Sequence, residues 1–493
     1  MKTLTLLSAL TVAVGTAHAA ETFAFYHENV LGTSMELRVS ADDARQAKLA
    51  EEKVLGEIDR LSPILSTWKA DSEISRWQAA GTGMKISSDL FSVLQLCETW
   101  QFKSHGAFHA STGVAGQLWK QAEVPQILPT DAALAEVVRE MKQPAWTLNS
   151  EELTGKCLAK PGTISVDGLA KGYIIDRAIE AARESAQVKG LMLNIGGDLR
   201  VSGEWTESVA IADAAHSEEN AKPLTTVKLH RQALATSGGY RRGWKIGDTH
   251  YSHIIDPRTA RPVDHIASAS VIADDATTAD ALATALNVLQ PAEGVALVES
   301  IPGASCLIVD RAGRQFHSVH WNAAGQAPVT VAAEGQPMEL EVNLELNKPE
   351  AERYLRPYVA VWIEDADGYP VRTLCVWILK GEKGLRWLPD LKRWNRADKI
   401  RKMVNPTEIL PTVSSATRNP GEYTLVWDGL DDQGQKLPAG EYVVFIEAAR
   451  EKGTYQIMKH ALNVGGEPFK ATLEGNVEVK SASLDYRKKA EAN

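Results

Sequence analysis

Ile164-Ser165-Val166-Asp167-Gly168-Leu169-Ala170-Lys171-Gly172-Tyr173 reads as a short strand, a glycine turn and the first turn of a helix. A glycine lets the backbone approach a ligand, and a helix start offers unpaired N–H groups to an anion. Lys171 adds a full positive charge at the same place. The helix runs on through Ile174, Ala178 and Ala181 on one face, with Asp176, Arg177 and Glu180 elsewhere on its circumference. By itself such a junction is a common connector, so its surroundings in the chain decide its meaning.

Toward the N-terminus, Phe23 to Val39 is strand-like with a break at Gly32-Thr33. Ala47, Ala50, Val54, Ile58 and Leu61 recur at helical spacing after Asp42, and Pro63 is expected to end that helix. Ser87 or Ser88 caps a helix carrying Leu90, Leu94, Cys97 and Trp100, after which Gly106-Ala107-Phe108-His109 opens a loop reaching Leu118-Trp119. Toward the C-terminus, Gly190 to Ile195 is a buried-type strand ending in Gly196-Gly197-Asp198, and Ala235-Thr236-Ser237-Gly238-Gly239-Tyr240 reads as a small-residue loop. A strand leads into His253-Ile254-Ile255-Asp256-Pro257-Arg258, Asp275 to Leu289 is helical, Pro291 starts another helix, and Ser305 to Asp310 is a strand. This alternation is too irregular for a doubly wound sheet, so residues 20–325 are expected to form an α+β domain.

Around Ala323 to Pro337 the composition shifts to Ala, Gly, Gln and Pro, which places a linker at 326–337. Beyond it, Met338, Leu340, Val342, Leu344 and Leu346 alternate with polar residues. Strands are expected at Tyr358 to Ile363, Val371 to Ile378, Tyr423 to Trp427 and Tyr442 to Glu447, with turns at Asp367-Gly368, Asp428-Gly429 and Gln433-Gly434. Residues 338–493 therefore read as an all-β sandwich of immunoglobulin-like type. The basic, aromatic stretch Arg386 to Lys402 reads first as a solvated face plus core tryptophan, with a docking surface as the alternative.

With 493 residues, 44% hydrophobic and 24% charged, the chain is large enough for two or three domains with cores of their own. A net charge of -10 excludes nucleic acid as a bulk electrostatic partner. Met1-Lys2, an apolar run from Leu4 to Val14 and Ala17-His18-Ala19 read as an export signal, residues 1–19, cleaved after Ala19. That places the mature protein in the periplasm; the apolar run is too short to remain as a membrane span, and no other stretch has the length. Cys97, Cys157, Cys306 and Cys375 would then face an oxidising compartment and allow three pairings. The apolar surroundings of Cys97 and Cys306 favour buried free thiols instead.

Thr277-Thr278-Ala279-Asp280-Ala281-Leu282-Ala283-Thr284 sets Asp280 and Thr284 one helical turn apart, with both oxygens on one face. A hard cation such as Mg²⁺ takes oxygen ligands and leaves the remaining positions to phosphate and water. Taken alone, the pair reads first as an acid favoured near a helix start and a threonine bonded back to a carbonyl. His253 is one of 12 histidines and reads by default as a structural hydrogen-bonding residue, as Trp68 reads by default as a core aromatic. G-x-S-x-G, Walker, CxxC and HExxH motifs are absent, which removes the usual hydrolase and nucleotide-kinase signals.

Together, Leu31-Gly32-Thr33, Leu65-Ser66-Thr67-Trp68 with Ser72-Glu73-Ile74-Ser75, Gly106-Ala107-Phe108, Asp167 to Tyr173, Asn194-Ile195-Gly196-Gly197-Asp198, Ala235-Thr236-Ser237-Gly238, His253 to Thr259 and Thr278 to Ala285 resemble one family in its own motif order: the ApbE-type FAD:protein FMN transferases. The likeness covers roughly the first two thirds of the chain. The remainder resembles a predicted periplasmic β-domain of unknown function, and its Trp427-Asp428-Gly429 to Gly440 run is similar to a flagellar-hook-cap type of immunoglobulin-like module.

The resemblance implies an enzyme that binds FAD, uses Mg²⁺ and moves FMN onto a Thr or Ser hydroxyl, releasing AMP. The implied acceptor is an exported or membrane electron-transfer flavoprotein carrying D-x-x-S/T-G-A-S/T. On that footing Asp280, Thr284 and the Gly168 carbonyl hold the metal, and His253 accepts the hydroxyl proton. Leu31, Trp68, Ala107, Phe108, His109, Ser165, Lys171 and Ile254 would contact FAD. Leu31 stands where the family has Met, Trp68 where it has Tyr, His109 and Gly239 where it has acids, and Ser165 in place of the acid that opens its central motif. Asp167, two positions on and on the same face of a strand, is expected to restore the charge missing at Ser165. A metal-dependent FAD pyrophosphatase yielding FMN and AMP, and a non-catalytic periplasmic flavin-binding or scaffold protein, are the competing readings.

Overall fold

The computed structural model describes residues 21–213, 220–238, 243–321, 338–348, 354–379, 382–404, 407–451 and 453–488. The export signal, the linker at 326–337 and the Gly239-Tyr240 end of the small-residue loop that begins at Ala235 lie outside the described residues.

The N-terminal part is built on eight strands: β1 (Glu21–Val30), β2 (Thr33–Ala41), β3 (Val188–Ile195), β4 (Asp198–Gly203), β5 (Ala233–Ser237), β6 (Ile266–Ala273), β7 (Ser305–Asp310) and β8 (Gln315–His317). Their order across the sheet is their order in the chain, and every neighbouring pair is antiparallel. The α+β expectation is met, with the helices entering as excursions between strands. The helices that matter for the site are α1 (Ala44–Leu65), α2 (Ser88–Lys103), α3 (Gly113–Glu123), α4 (Asp167–Ser185) and α5 (Ala276–Leu286). Strand alternation sorts the two faces. Leu191, Leu193 and Ile195 join a large core with Leu61, Ile175 and Leu282, while Met192 points to the other face, against Val227 and Leu229.

Several local expectations are corrected. The residues before Asp167 are not a strand, and the helix begins at Asp167 and takes in Gly168. The reason is that Ile164 pairs with a side chain in place of a neighbouring strand. Gln78, itself buried, donates to the Ile164 carbonyl at 3.1 Å and accepts from its N–H at 3.0 Å, while Ser165 N donates to Ala110 O at 2.8 Å. Asp167 is therefore a first-turn helical residue, not a strand neighbour of Ser165. Pro63 lies inside the last turn of α1, which continues to Leu65. The supposed loop from Gly106 to Trp119 contains α3, and Ala235-Thr236-Ser237 belongs to β5.

The C-terminal part has strands β9 (Met338–Leu346), β10 (Tyr358–Asp365), β11 (Pro370–Trp377), β12 (Ser414–Ser415), β13 (Gly421–Trp427), β14 (Gly440–Ala449), β15 (Tyr455–Val464), β16 (Phe469–Glu474) and β17 (Val479–Lys488). They form a four-stranded sheet, β13-β9-β17-β16, and a five-stranded sheet, β12-β11-β10-β14-β15. Leu340, Val342 and Leu344 of the first share a core with Val359, Val361 and Ile363 of the second, so the two sheets pack face to face. The all-β expectation needs amending, because α6 (Lys392–Val404) covers the outer face of the five-stranded sheet. Trp394 is its buried anchor, packed with Trp362 and Phe445, whereas Trp387 stays partly exposed. The immunoglobulin-like topology itself remains an expectation. Arg356 ties this part to Glu28 and Asn29 of β1, and Val426 N donates to Asn220 Oδ1 at 2.9 Å.

Candidate active site

Helices α4 and α5 cross so closely that a Cβ on Gly172 would lie 2.2 Å from Ala276 O, which only a glycine avoids. That approach brings α5 side chains onto the α4 backbone. Asp280 accepts from Gly172 N at 3.0 Å, and Thr284 Oγ1 donates to Gly168 O at 3.2 Å. Gly168 O and Gly172 N are the pair a regular helix bonds to each other, and both are engaged across the crossing. Thr284 thus bonds to the neighbouring helix, and Asp280 sits mid-helix; the dipole-and-back-bond reading of the pair does not hold.

The carboxyl groups at this crossing are buried, and the Lys171 side chain is half-buried beside them. Lys171 Nζ lies 2.6 Å from Asp198, a residue only 3% exposed. Burial pushes the Asp280 carboxyl up to about 7, and the nearby Asp198 adds to the shift while Lys171 and the Gly172 N–H oppose it. Asp198 is also raised by burial, against the pull of Lys171. Two buried carboxyl groups thus share one neighbouring ammonium, and their ionised forms are the disfavoured ones. Among the described residues no three His, Cys, Asp or Glu side chains gather as a metal-binding cluster. The donors present are one carboxylate, one hydroxyl and one carbonyl, an all-oxygen set suited to a hard dication whose other positions come from its ligand.

Three supporting contacts were not legible as such in the sequence. Asp176 was placed away from the apolar face of α4, yet it is buried and faces α5. It accepts from Ala276 N at 2.8 Å, Thr277 N at 2.8 Å, Thr277 Oγ1 at 2.6 Å and Arg200 Nη1 at 2.9 Å. It therefore caps the N-terminus of α5 from outside that helix. The available signal was its spacing of four from Gly172, which puts both on one face. Asp198 becomes the partner of Lys171; an acid directly after a double-glycine turn was its only mark. Gly196 lets that turn nestle on the β1–β2 turn, since a Cβ there would meet Thr33 Cγ2 at 2.6 Å.

Of the other expected residues, Phe108 and Ser165 touch the start of α4, and Trp68 follows a residue that does. Phe108 is buried, and its ring edge would sit 3.0 Å from a Cβ at Gly168; Ala107 is buried beside it. Thr67 Oγ1 donates to Asp167 at 3.0 Å, and Trp68 follows it, 85% exposed. Trp68 is not a core aromatic, because α1 ends at Leu65 and the chain turns outward there. His109 Nδ1 accepts from Ser111 N at 3.1 Å, and burial lowers its pKa. Ser165 Oγ accepts from Asp167 N at 3.3 Å. Leu31 holds a left-handed φ of 49° in the β1–β2 turn and packs on the core. Ile254 is buried in the core that contains Phe108 and Leu169, and His253 beside it is exposed. All four cysteines are free and buried; burial pushes Cys306 up to about 11.

Comparison with known proteins gives this geometry a context. The ApbE family model matches residues 31–308, and a model described as "Predicted periplasmic protein" of unknown function matches residues 339–481. A FAD:protein FMN transferase of Vibrio cholerae is 28% identical over 285 residues, spanning 55% of this chain and 83% of that protein. One of Chlamydia muridarum is 30% identical over 253 residues, spanning 49% of this chain and 76% of that protein. The crystal structure of the ApbE protein of Thermotoga maritima superposes with a TM-score of 0.53 at 25% identity, covering 61% of this chain and 97% of that one. No helix among the described residues is long and apolar enough to cross a membrane.

Proposed function

Because this chain belongs to the ApbE family, and is an enzyme of the FAD:protein FMN transferase kind, we propose that it moves the FMN half of FAD onto a Thr or Ser hydroxyl of another exported protein, with release of AMP. The observation that carries this reading is the α4–α5 crossing, where Lys171, Asp198, Asp280, Thr284 and the Gly168 carbonyl converge.

Phosphoryl transfer asks a protein mainly for positioning and charge neutralisation. Lys171 supplies a cation held in place by Asp198, ready for pyrophosphate oxygens. The Asp280 carboxylate, Thr284 hydroxyl and Gly168 carbonyl would hold Mg²⁺, which when bound supplies charge neutralisation at the pyrophosphate. The exposed Trp68 offers a stacking face to the isoalloxazine, in place of the family's tyrosine. Leu31, His109 and Ser165 would contact the rest of FAD, with Ala107, Phe108 and Ile254 backing the site from the core. His253 takes the proton of the acceptor hydroxyl as its oxygen attacks the FMN-side phosphorus; the bond to the AMP phosphate breaks, and AMP leaves with the electron pair.

We place the activity in the periplasm, after removal of residues 1–19, and divide the mature chain into 20–325 and 338–493 around a linker. The match of residues 339–481 to a family described as periplasmic supports that compartment. The test is to incubate the protein with FAD, Mg²⁺ and an acceptor domain carrying D-x-x-S/T-G-A-S/T. Covalent flavin on the acceptor is the expected result. Free FMN alone would make it a pyrophosphatase, and unaltered FAD would make it a binding protein.

A further inference from the structure

A cleft of about 630 Å³ opens between the two parts of the molecule. Its floor is the turn end of the β1–β2 hairpin together with Asn194, Gly196 and Gly197, and its opposite wall is the segment 415–419 with Tyr423. Its link to the candidate active site is the β3–β4 turn, whose Gly196 and Gly197 line the cleft and whose next residue, Asp198, is the buried partner of Lys171.

Its chemistry selects among occupants. Arg356 and Arg418 line it, but so do Glu28 and Glu36, so a dinucleotide with two phosphates would face carboxylates as well as guanidiniums. A polypeptide backbone, which brings donors and acceptors in equal number, suits such a mixed polar lining. The two walls also contain the outermost strands of their sheets: β1 is the edge of the eight-stranded sheet, and β12 is the edge of the five-stranded one. Edge strands offer backbone N–H and C=O groups to an added extended chain.

Resting on the transfer reading above, we propose that this interdomain cleft receives the acceptor protein as an extended segment, so that the C-terminal part selects the substrate whose hydroxyl enters the site. The C-terminal part then acts on recognition and not on FAD. Arg356, bound to Glu28 and Asn29 of β1, fixes the width of the cleft by holding the two walls together.

The experiment uses the full chain and two variants that fill the cleft from the C-terminal wall, Ala416→Trp and the more exposed Asn419→Trp. Binding of the acceptor domain described above is read by fluorescence polarisation without FAD, and flavin transfer is then read over a range of acceptor and of FAD. We expect acceptor affinity to fall and acceptor KM to rise by about tenfold or more, which is roughly 1.4 kcal/mol. FAD KM and kcat at saturating acceptor should be unchanged. Wild-type acceptor affinity in both variants would overturn the proposal, and so would a parallel rise in FAD KM, which would make the cleft part of the nucleotide site. Absence of covalent flavin with the wild-type protein would instead defeat the transfer reading, while the binding measurement would still decide the role of the cleft.

Discussion

His253 is exposed, while the residue beside it is anchored in the core that also holds Phe108 and Leu169. A general base needs this combination: a fixed backbone and a side chain that a protein substrate can reach. His253→Ala should lower covalent flavin transfer by about 10²–10⁴-fold, the usual loss on removing a general base. FAD affinity should barely change, because Lys171, Trp68 and the α5 oxygens remain. Parallel measurement of flavin retained on denatured acceptor and of FAD binding checks this, and undiminished transfer would take His253 out of the chemistry. At the residue scale the sequence was readable where one side chain does one job, as in the Asp280 and Thr284 spacing. It was opaque where the job is set by a distant partner. Asp176 looked like a surface acid until its four donors from α5 and β4 were seen.

The crossing of α4 and α5 is the element on which the site depends. Gly172→Ala would place a methyl 2.2 Å from Ala276 O, a backbone atom with no side-chain freedom to yield. The helices must part, and the cost should be about 1–3 kcal/mol of stability, the range for overpacking a tight contact. The same displacement stretches the Asp280 contact to Gly172 N and the Thr284 contact to Gly168 O. We therefore expect a higher Mg²⁺ requirement for turnover, beyond the lower urea midpoint. A midpoint and a Mg²⁺ dependence both equal to wild type would show that the crossing has slack. Periodicity made the helices themselves legible, since Ala47, Ala50, Val54, Ile58 and Leu61 all lie on the buried face of α1. It misled at Ile164 to Val166, where alternating residues imitate a strand but Gln78 takes up the Ile164 backbone. A side chain substituting for a neighbouring strand leaves no trace in local sequence.

At the scale of the whole molecule, two cores with different architectures are joined, among the described residues, by polar contacts such as Arg356 with Glu28 and Asn220 with Val426. The change from mixed to alternating pattern near residue 338 was clear from sequence, because strict alternation over β9 admits little else. The helix over the five-stranded sheet was not, since α6 is rich in Lys and Arg and buries Arg401, paired with Asp398, as well as Trp394. A chain ending near Gly335 should fold and still release AMP from FAD when acceptor is saturating, as every proposed site residue lies upstream. A folded truncation without that turnover would mean that the C-terminal part completes the chemistry.

The transfer reading puts the metal and the pyrophosphate where α5 lays Asp280 and Thr284 on α4. The most direct test compares wild type with Asp280→Ala, its fold checked by near-ultraviolet circular dichroism, in a titration of Mg²⁺ at fixed FAD and acceptor. The reading is flavin fluorescence that stays with the acceptor after denaturation. Mg²⁺-dependent fluorescence is expected for the wild type and none for the folded variant at any Mg²⁺ concentration. Wild-type labelling by the variant at limiting Mg²⁺ would contradict that placement.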